Sequence, residues 1–351
     1  MKLVIRLLRP LRRLLPWLLG CALAAPAVQA AEVDSYTHRR ADLPDITDLL
    51  NGEVQRRIDA AVQEANGRLD QKRALARKLG LTPERGCDPE PLYQALGKRL
   101  SGFVFGRIEK YIDALPAELR AANRKEASIY RDFRFTEAPS LTARDWLASL
   151  VRVNGQYVGA DKFGHFFSEG WQFYRYHYRD HDSLDATLLR GALMETSYYG
   201  RLATAVYSYA DLVANFQGMR FWNAVLGEQP DALTGRRPDP LVACRDGHFR
   251  VARAFDWRDY VDAAWDEAIN CNDFADAELL QRVRARLPRN GAPLGCFTDG
   301  NDLSTLRRKY GPWSRALLNE RSGVVRRGLL EVIERLLVAD RRDPGAGRPV
   351  D

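Results

Sequence analysis

The residues able to do chemistry fall into three short stretches of this 351-residue chain. Gly159-Ala160-Asp161-Lys162-Phe163-Gly164-His165-Phe166-Phe167 sets an acid, an amine and an imidazole among glycines and aromatics. Glu195 follows in a mostly apolar segment, and Ser208, Asp211 and Asn215 follow in another. Acids in apolar segments must be paired, hydrogen-bonded or neutralised. Two arrangements meet that demand. In one, Asp161, His165, Glu195 and Asp211 offer one nitrogen and several oxygens to a divalent metal such as zinc. In the other, Lys162 and a protonated His165 face Glu195 and Asp211 as an ion cluster. Either supports general acid–base chemistry, because a glutamate in an apolar setting holds its proton to higher pH. The spacing leaves both open, since Asp-x-x-x-His is a weaker metal signature than His-Glu-x-x-His, which this sequence lacks.

Helices must position these groups. With Asp161 at the origin of a helical wheel of ~100° per residue, His165 falls at about 40°, Ser168 at about −20°, Glu169 at about 80° and Gln172 at about 20°. This is one polar stripe, opposite Phe163, Phe166, Phe167 and Trp171. By itself such a stripe reads as a solvated face. The segment 208–222 differs: Ser208, Asp211, Asn215 and Gly218 share one side, while Leu212, Val213, Ala214, Phe216, Met219 and Phe221 spread round the rest. A helix apolar on most sides is a buried helix, and its acid is buried with it. Residues 188–206 have the same character, with Glu195 as their only acid.

The pattern Asp161-Lys162-x-x-His165-Phe166, then Glu195, then Ser208-x-x-Asp211-x-x-x-Asn215-x-x-Gly218 resembles a signature of an uncharacterised family of predicted periplasmic lipoproteins, the YfiM type. More remotely it resembles that of the membrane-embedded VanZ-like proteins. The likeness spans residues 159–218. At its second motif the family often has an acid followed by Asp-Gly or Gln, where this chain has Glu195-Thr-Ser-Tyr-Tyr199-Gly200. The resemblance implies that the constellation is one unit and points to the cell envelope. It names no substrate.

Competing motifs are weaker. The Glu195-Thr-Ser context is similar to that of the catalytic acid of lytic transglycosylases, but their downstream Gly-x-x-Gln element is missing. No Gly-x-Ser-x-Gly nucleophile elbow occurs.

The rest of the chain reads as an all-α protein, a multi-helix globular bundle with irregular loops and one small hairpin. Helices are expected at 43–79, 90–114, 116–128, 161–180, 184–206, 208–226, 257–270, 275–287, 302–318 and 322–339 from apolar residues at helical spacing. Asn154-Gly155 marks the hairpin turn within 153–158. The expected organisation is a leader at 1–30, an N-terminal helical region at 31–135, a central region carrying the polar site at 136–230, a C-terminal helical region at 231–342 and a disordered Gly/Pro-rich tail at 343–351.

The leader reading rests on Lys2, Arg6, Arg9, Arg12 and Arg13, an apolar stretch from Leu14 to Ala27, and a small-x-small site at Val28-Gln29-Ala30. That predicts a periplasmic or secreted protein. Cys21 in Leu18-Leu19-Gly20-Cys21 marks a less favoured alternative, an outer-membrane lipoprotein. The net charge of +7 is mostly the leader's: without its five basic residues, 48 basic stand against 46 acidic, a net of +2. A near-neutral chain gives no case for nucleic acid, and no apolar run after the leader is long enough to cross a membrane. Cys87, Cys244, Cys271 and Cys296 then remain. An even count in an exported chain predicts two disulfides, one of them tying Cys87 to the C-terminal third.

The functional expectation is an exported envelope protein whose site works as a hydrolase or lyase on envelope glycan or lipid, metal-assisted or lytic-transglycosylase-like. Glu195, His165, Asp211 and Asp161 would be its catalytic residues, and Lys162, Ser208, Asn215 and Tyr199 its substrate contacts. Asp161, His165, Glu195 and Asp211 are the metal set. The alternative is a non-catalytic envelope protein in which the same cluster only fixes helix packing.

Overall fold

The computed structural model describes residues 32–39, 41–102, 106–122, 124–143, 147–196, 201–287 and 300–319. The expectations for the leader, Cys21, Tyr199, Cys296, the helix at 322–339 and the tail lie outside them.

The longest helix is α1 (Thr47–Lys78). Leu50, Val54, Ile58, Ala61, Ala65 and Leu69 recur at helical spacing and are buried, so one face packs on α2 (Glu90–Leu100). The expected helix at 90–114 ends at Leu100 and resumes as α3 (Arg107–Asp113). The described residues of 116–128 form only the short turns Ala117–Leu119 and Lys125–Ala127 instead of a helix. There Ala121 leaves the helical path to exchange backbone hydrogen bonds of 2.8 Å with Leu150.

The hairpin is present as β1 (Leu150–Val153) and β2 (Gln156–Gly159), paired antiparallel. Asn154 and Gly155 both take positive φ, 50° and 75°, which is what a two-residue primed turn requires. The hairpin feeds directly into α4 (Ala160–Phe167) and α5 (Glu169–Tyr174), two segments of one path interrupted at Ser168. Then come α6 (Leu184–Thr196), the short strand β3 (Val206–Tyr207) and the buried helix α7 (Tyr209–Ala224).

A glycine contact lets the central helices cross. A Cβ on Gly218 of α7 would lie 1.9 Å from the carbonyl oxygen of Phe166, and one on Gly170 of α5 would lie 2.6 Å from the Gly218 Cα. No side chain fits between these backbones. Gly218 is therefore a packing residue, and the contact it permits sets α4 against the polar side of α7.

Strand pairs that the sequence reading lacked correct the all-α class to a mostly helical fold with small antiparallel pairs. One is β4 (Val242–Arg245) with β5 (His248–Val251), inside the stretch expected to be loop. Asp246-Gly247 makes its turn with φ of 51° and 76°. The other pairs β3 with β6 (Asp273–Phe274). The expected helix at 257–270 is replaced by two single turns, Trp257–Asp259 and Ala263–Trp265. The chain continues through α8 (Ala277–Arg286) and α9 (Gly300–Tyr310).

Buried apolar residues from Val33 to Leu318 form the main cluster, and Phe163, Phe166, Trp257 and Trp265 pack at its centre. Cys87 is bonded to Cys244, tying the loop after α1 to β4. Cys271 is disulfide-bonded as well. Among the described residues no helix is long and apolar enough to cross a membrane.

Candidate functional site

Lys162, in the first turn of α4, is the hub. Its side chain is fully buried, and its Nζ lies 2.7 Å from Asp161 Oδ2, 2.5 Å from Asp211 Oδ1 and 2.5 Å from Glu267 Oε1. Three separate segments thus meet on one ammonium: α4, α7 and the irregular stretch after Trp265. The stripe on α4 faces α7 and not solvent. Lys162 pairs with Asp161, Asp211 and Glu267, and not with Glu195 as the sequence suggested.

Ser208 caps α7. Its Oγ accepts from the Asp211 backbone N–H at 3.1 Å and donates to Glu267 Oε1 at 3.0 Å. Asn272 Nδ2 donates to Glu267 Oε2 at 2.9 Å. Asp211 and Glu267 are therefore held in place before any ligand is considered.

His165, one turn beyond Asp161, points Nε2 at Asp211 Oδ2 at 3.2 Å and lies 3.8 Å from Glu169 Oε2 through Nδ1. Asn215 sits on the other ring nitrogen. Its amide best fits its surroundings with the nitrogen turned to the carbonyl oxygens of Asp211 (3.2 Å) and His165 (3.3 Å) and to His165 Nδ1 (3.2 Å). Nδ1 then accepts, and the ring proton sits on Nε2, facing Asp211. A second ring proton requires Asn215 to turn its oxygen to Nδ1.

Glu195 of α6 completes this side. Ligand atoms of His165, Glu195 and Asp211 all lie within 4.8 Å of one another, and so do those of Asp161, Asp211 and Glu267. The second set is filled by the Lys162 ammonium. The first, with one nitrogen and two carboxylates, has the donor chemistry of a zinc-type site. The four residues expected to share a metal are thus divided, with Asp161 on the lysine side.

Burial drives the electrostatics, and the neighbours decide each sign. For Asp211, burial raises the pKa, but His165 and Lys162 outweigh it and hold the carboxyl below its ordinary range. For Glu195, burial and then the Asp211 charge raise the pKa well above the ordinary value. Burial raises Glu267 to about 7 and Glu32 to about 8, and it raises Asp161 and Glu169 too. His165 and Lys162 move up despite burial because carboxylates surround them. Six carboxyl groups thus share two basic side chains, and the cluster keeps protons that isolated acids would lose at neutral pH.

The structure gathers Asp161, Lys162, His165, Glu195, Ser208, Asp211 and Asn215, as the sequence suggested. Sequence reading missed Glu267, Asn272 and Glu32. Glu32 enters from the first described segment, whose backbone is fixed by Ala148 N–H to the Glu32 carbonyl (2.9 Å) and by the Tyr130 hydroxyl to the Val33 carbonyl (3.0 Å). Glu109 of α3 lies nearby, buried and raised to about 8 by burial and then by Asp161. No protein-family model, curated protein or solved structure matches this chain.

Proposed function

We propose that this cluster is the acid–base centre of an exported hydrolase or lyase acting on envelope glycan or lipid. The observation that carries the reading is the pair Glu195 and Asp211. They stand with His165 inside 4.8 Å, and their surroundings push their pKa values in opposite directions. Two carboxyl groups driven apart in this way divide the labour of acid–base catalysis. Glu195 carries the proton and gives it to a leaving group. Asp211 stays ionised and stabilises positive charge on His165 or on the reacting centre. Lys162, Ser208 and Asn215 hold these groups and do not need to touch substrate. The envelope setting rests on the leader reading and on the YfiM-type resemblance.

The non-catalytic reading has its own support. A fully buried lysine joining three segments is what a packing lock requires.

Glu195→Gln separates the two, because glutamine keeps the shape of a protonated glutamate. Release of sugar fragments from peptidoglycan and of acyl or headgroup products from phospholipid vesicles is measured for wild type and variant, beside their melting temperatures. Turnover by the wild type, lost in a variant that melts normally, supports the centre. Absence of product from both substrates, or a variant that unfolds, leaves the packing lock.

A further inference from the structure

Helix α1 overshoots the core. Its buried face ends at Leu69, and no residue from Asp70 to Leu81 is buried. Leu75, Leu79 and Leu81 are 57%, 65% and 61% exposed. One exposed leucine is ordinary, but three together at one tip call for a partner. Leu75 lies in the last turn of α1, and Leu79, four residues on, caps it. Gly80, at φ 72°, then reverses the chain, and Leu81 N–H returns to the Ala76 carbonyl at 2.9 Å. This helix-closing motif fixes all three leucines on a short, ordered end.

A basic collar adjoins them along the chain and on the hairpin packed against α1. Arg77, Lys78 and Arg85 are exposed beside the leucines, and Arg245 and Arg250 are exposed on the β4–β5 hairpin. That hairpin is held against α1: Asn66 accepts from Phe249 N–H at 2.8 Å, Arg73 donates to the Gly247 carbonyl at 2.5 Å, and Cys87–Cys244 staples the intervening loop to it. Of the acids here, Asp246 of the hairpin turn is exposed and enters no ion pair among the described residues, and the other three are engaged. Glu84 and Asp88 face Lys72, and Asp70 faces Arg73 and His248. Among the described residues, Arg77, Lys78, Arg85 and Arg245 enter no ion pair, while Arg250 lies further back along α1, past Asn66. Between the helix end and the loop lies a pocket of about 160 Å³ that combines apolar walls, Leu69, Ala76, Leu81 and Pro83, with Lys72 and Arg73.

We propose that this tip docks on the surface of an anionic bilayer. The leucines enter the headgroup boundary and the collar meets lipid phosphates, the combination that peripheral membrane attachment uses. A narrow helix end offers little of the ~1,200–2,000 Å² that a stable protein interface buries. The inference stands apart from the buried cluster and does not depend on its chemistry.

The test is flotation of the full chain with vesicles of phosphatidylglycerol or of phosphatidylcholine. Binding is expected on the anionic vesicles, weak on the zwitterionic ones and reversed by salt. Arg77→Gln with Lys78→Gln should weaken it about 25-fold, roughly fivefold per charge. Leu75→Ser with Leu79→Ser and Leu81→Ser should weaken it about tenfold or more. Both variants should melt as the wild type does, since the side chains are exposed. Failure to float with phosphatidylglycerol vesicles overturns the proposal, and so does binding unchanged by either set of substitutions.

Discussion

Replacing Lys162 with methionine keeps the length of the side chain and removes its charge, so it isolates the electrostatic role of the hub. The ammonium serves three carboxylates at 2.5–2.7 Å. At an effective dielectric of ~20, each such contact is worth roughly 5 kcal/mol of attraction at ~3 Å, most of it offset by desolvation. The site's response to the loss is to take up a proton. Placing one on a glutamate of ordinary pKa 4.5 costs about 3 kcal/mol at about pH 7 and about 1 kcal/mol at about pH 5.5, at 1.36 kcal/mol per unit. The sign follows: the folded variant binds one proton more than its unfolded chain, so its deficit grows as pH rises. With ~2–4 °C per kcal/mol, Lys162→Met should melt roughly 6–12 °C below wild type at neutral pH and roughly 2–4 °C below it at mildly acidic pH. Calorimetric scans across that range measure the gap. A gap that stays constant with pH would falsify the charge argument and leave only altered packing. No gap at all would mean that the ammonium does not hold the three segments together.

Wild-type stability should itself fall as pH rises from about 4.5 to about 8. Glu267, near 7, and Glu32, near 8, are raised in the folded chain, so the stability present below the unfolded value is lost as pH climbs through the folded ones. Glu32→Gln should flatten that decline in melts at several pH values, and an unchanged slope would remove Glu32 from the cluster. Gly218→Ala should cost about 3 kcal/mol or more, because the new methyl meets a backbone carbonyl that has no room to move; a normal melting temperature would refute the helix crossing described here. Elemental analysis after exposure to zinc and dialysis tests the acid role: an ion held by His165, Glu195 and Asp211 would displace the Glu195 proton, so the wild type should retain no stoichiometric zinc, and retention lost with Glu195→Gln would refute that role. Retention that survives His165→Ala and Glu195→Gln would place the ion elsewhere.

Much of the site was legible because helical periodicity carries it. Asp211 and Asn215 lie on a helix whose other sides are apolar, so their burial could be read from residue types alone. Gly218 shared their side, although its reason, the backbone of Phe166, is a tertiary fact. The missed residues lie where periodicity fails. Residues 257–270 look helical by composition, yet Asp256, Asp262 and Asp266 each accept the backbone N–H two residues on. These local side-chain bonds compete with the helix ladder and turn the segment into single turns. Glu267 directly follows the third of them, and no spacing ties it to α4. The Asp-Gly of the second hairpin was as clear a signal as the Asn-Gly of the first. It was hidden by the prolines and glycines that made 227–256 read as loop.

The two readings of the cluster share one physical origin. Six carboxyl groups around two basic side chains cannot all be ionised in a buried space. Burial first, and then the same excess of negative charge that makes Lys162 valuable for packing, raises the Glu195 pKa. A lock alone would be better served by matched charges, because every raised carboxyl costs stability at neutral pH. Glu267, Asp161 and Asp211 already satisfy Lys162 without help from Glu195. Glu195 makes no ion pair with Lys162, and its raised pKa makes the fold less stable as pH rises. On the proposed reading, Glu195 is the group whose proton the centre transfers, and the stability lost with rising pH is the cost of holding that proton.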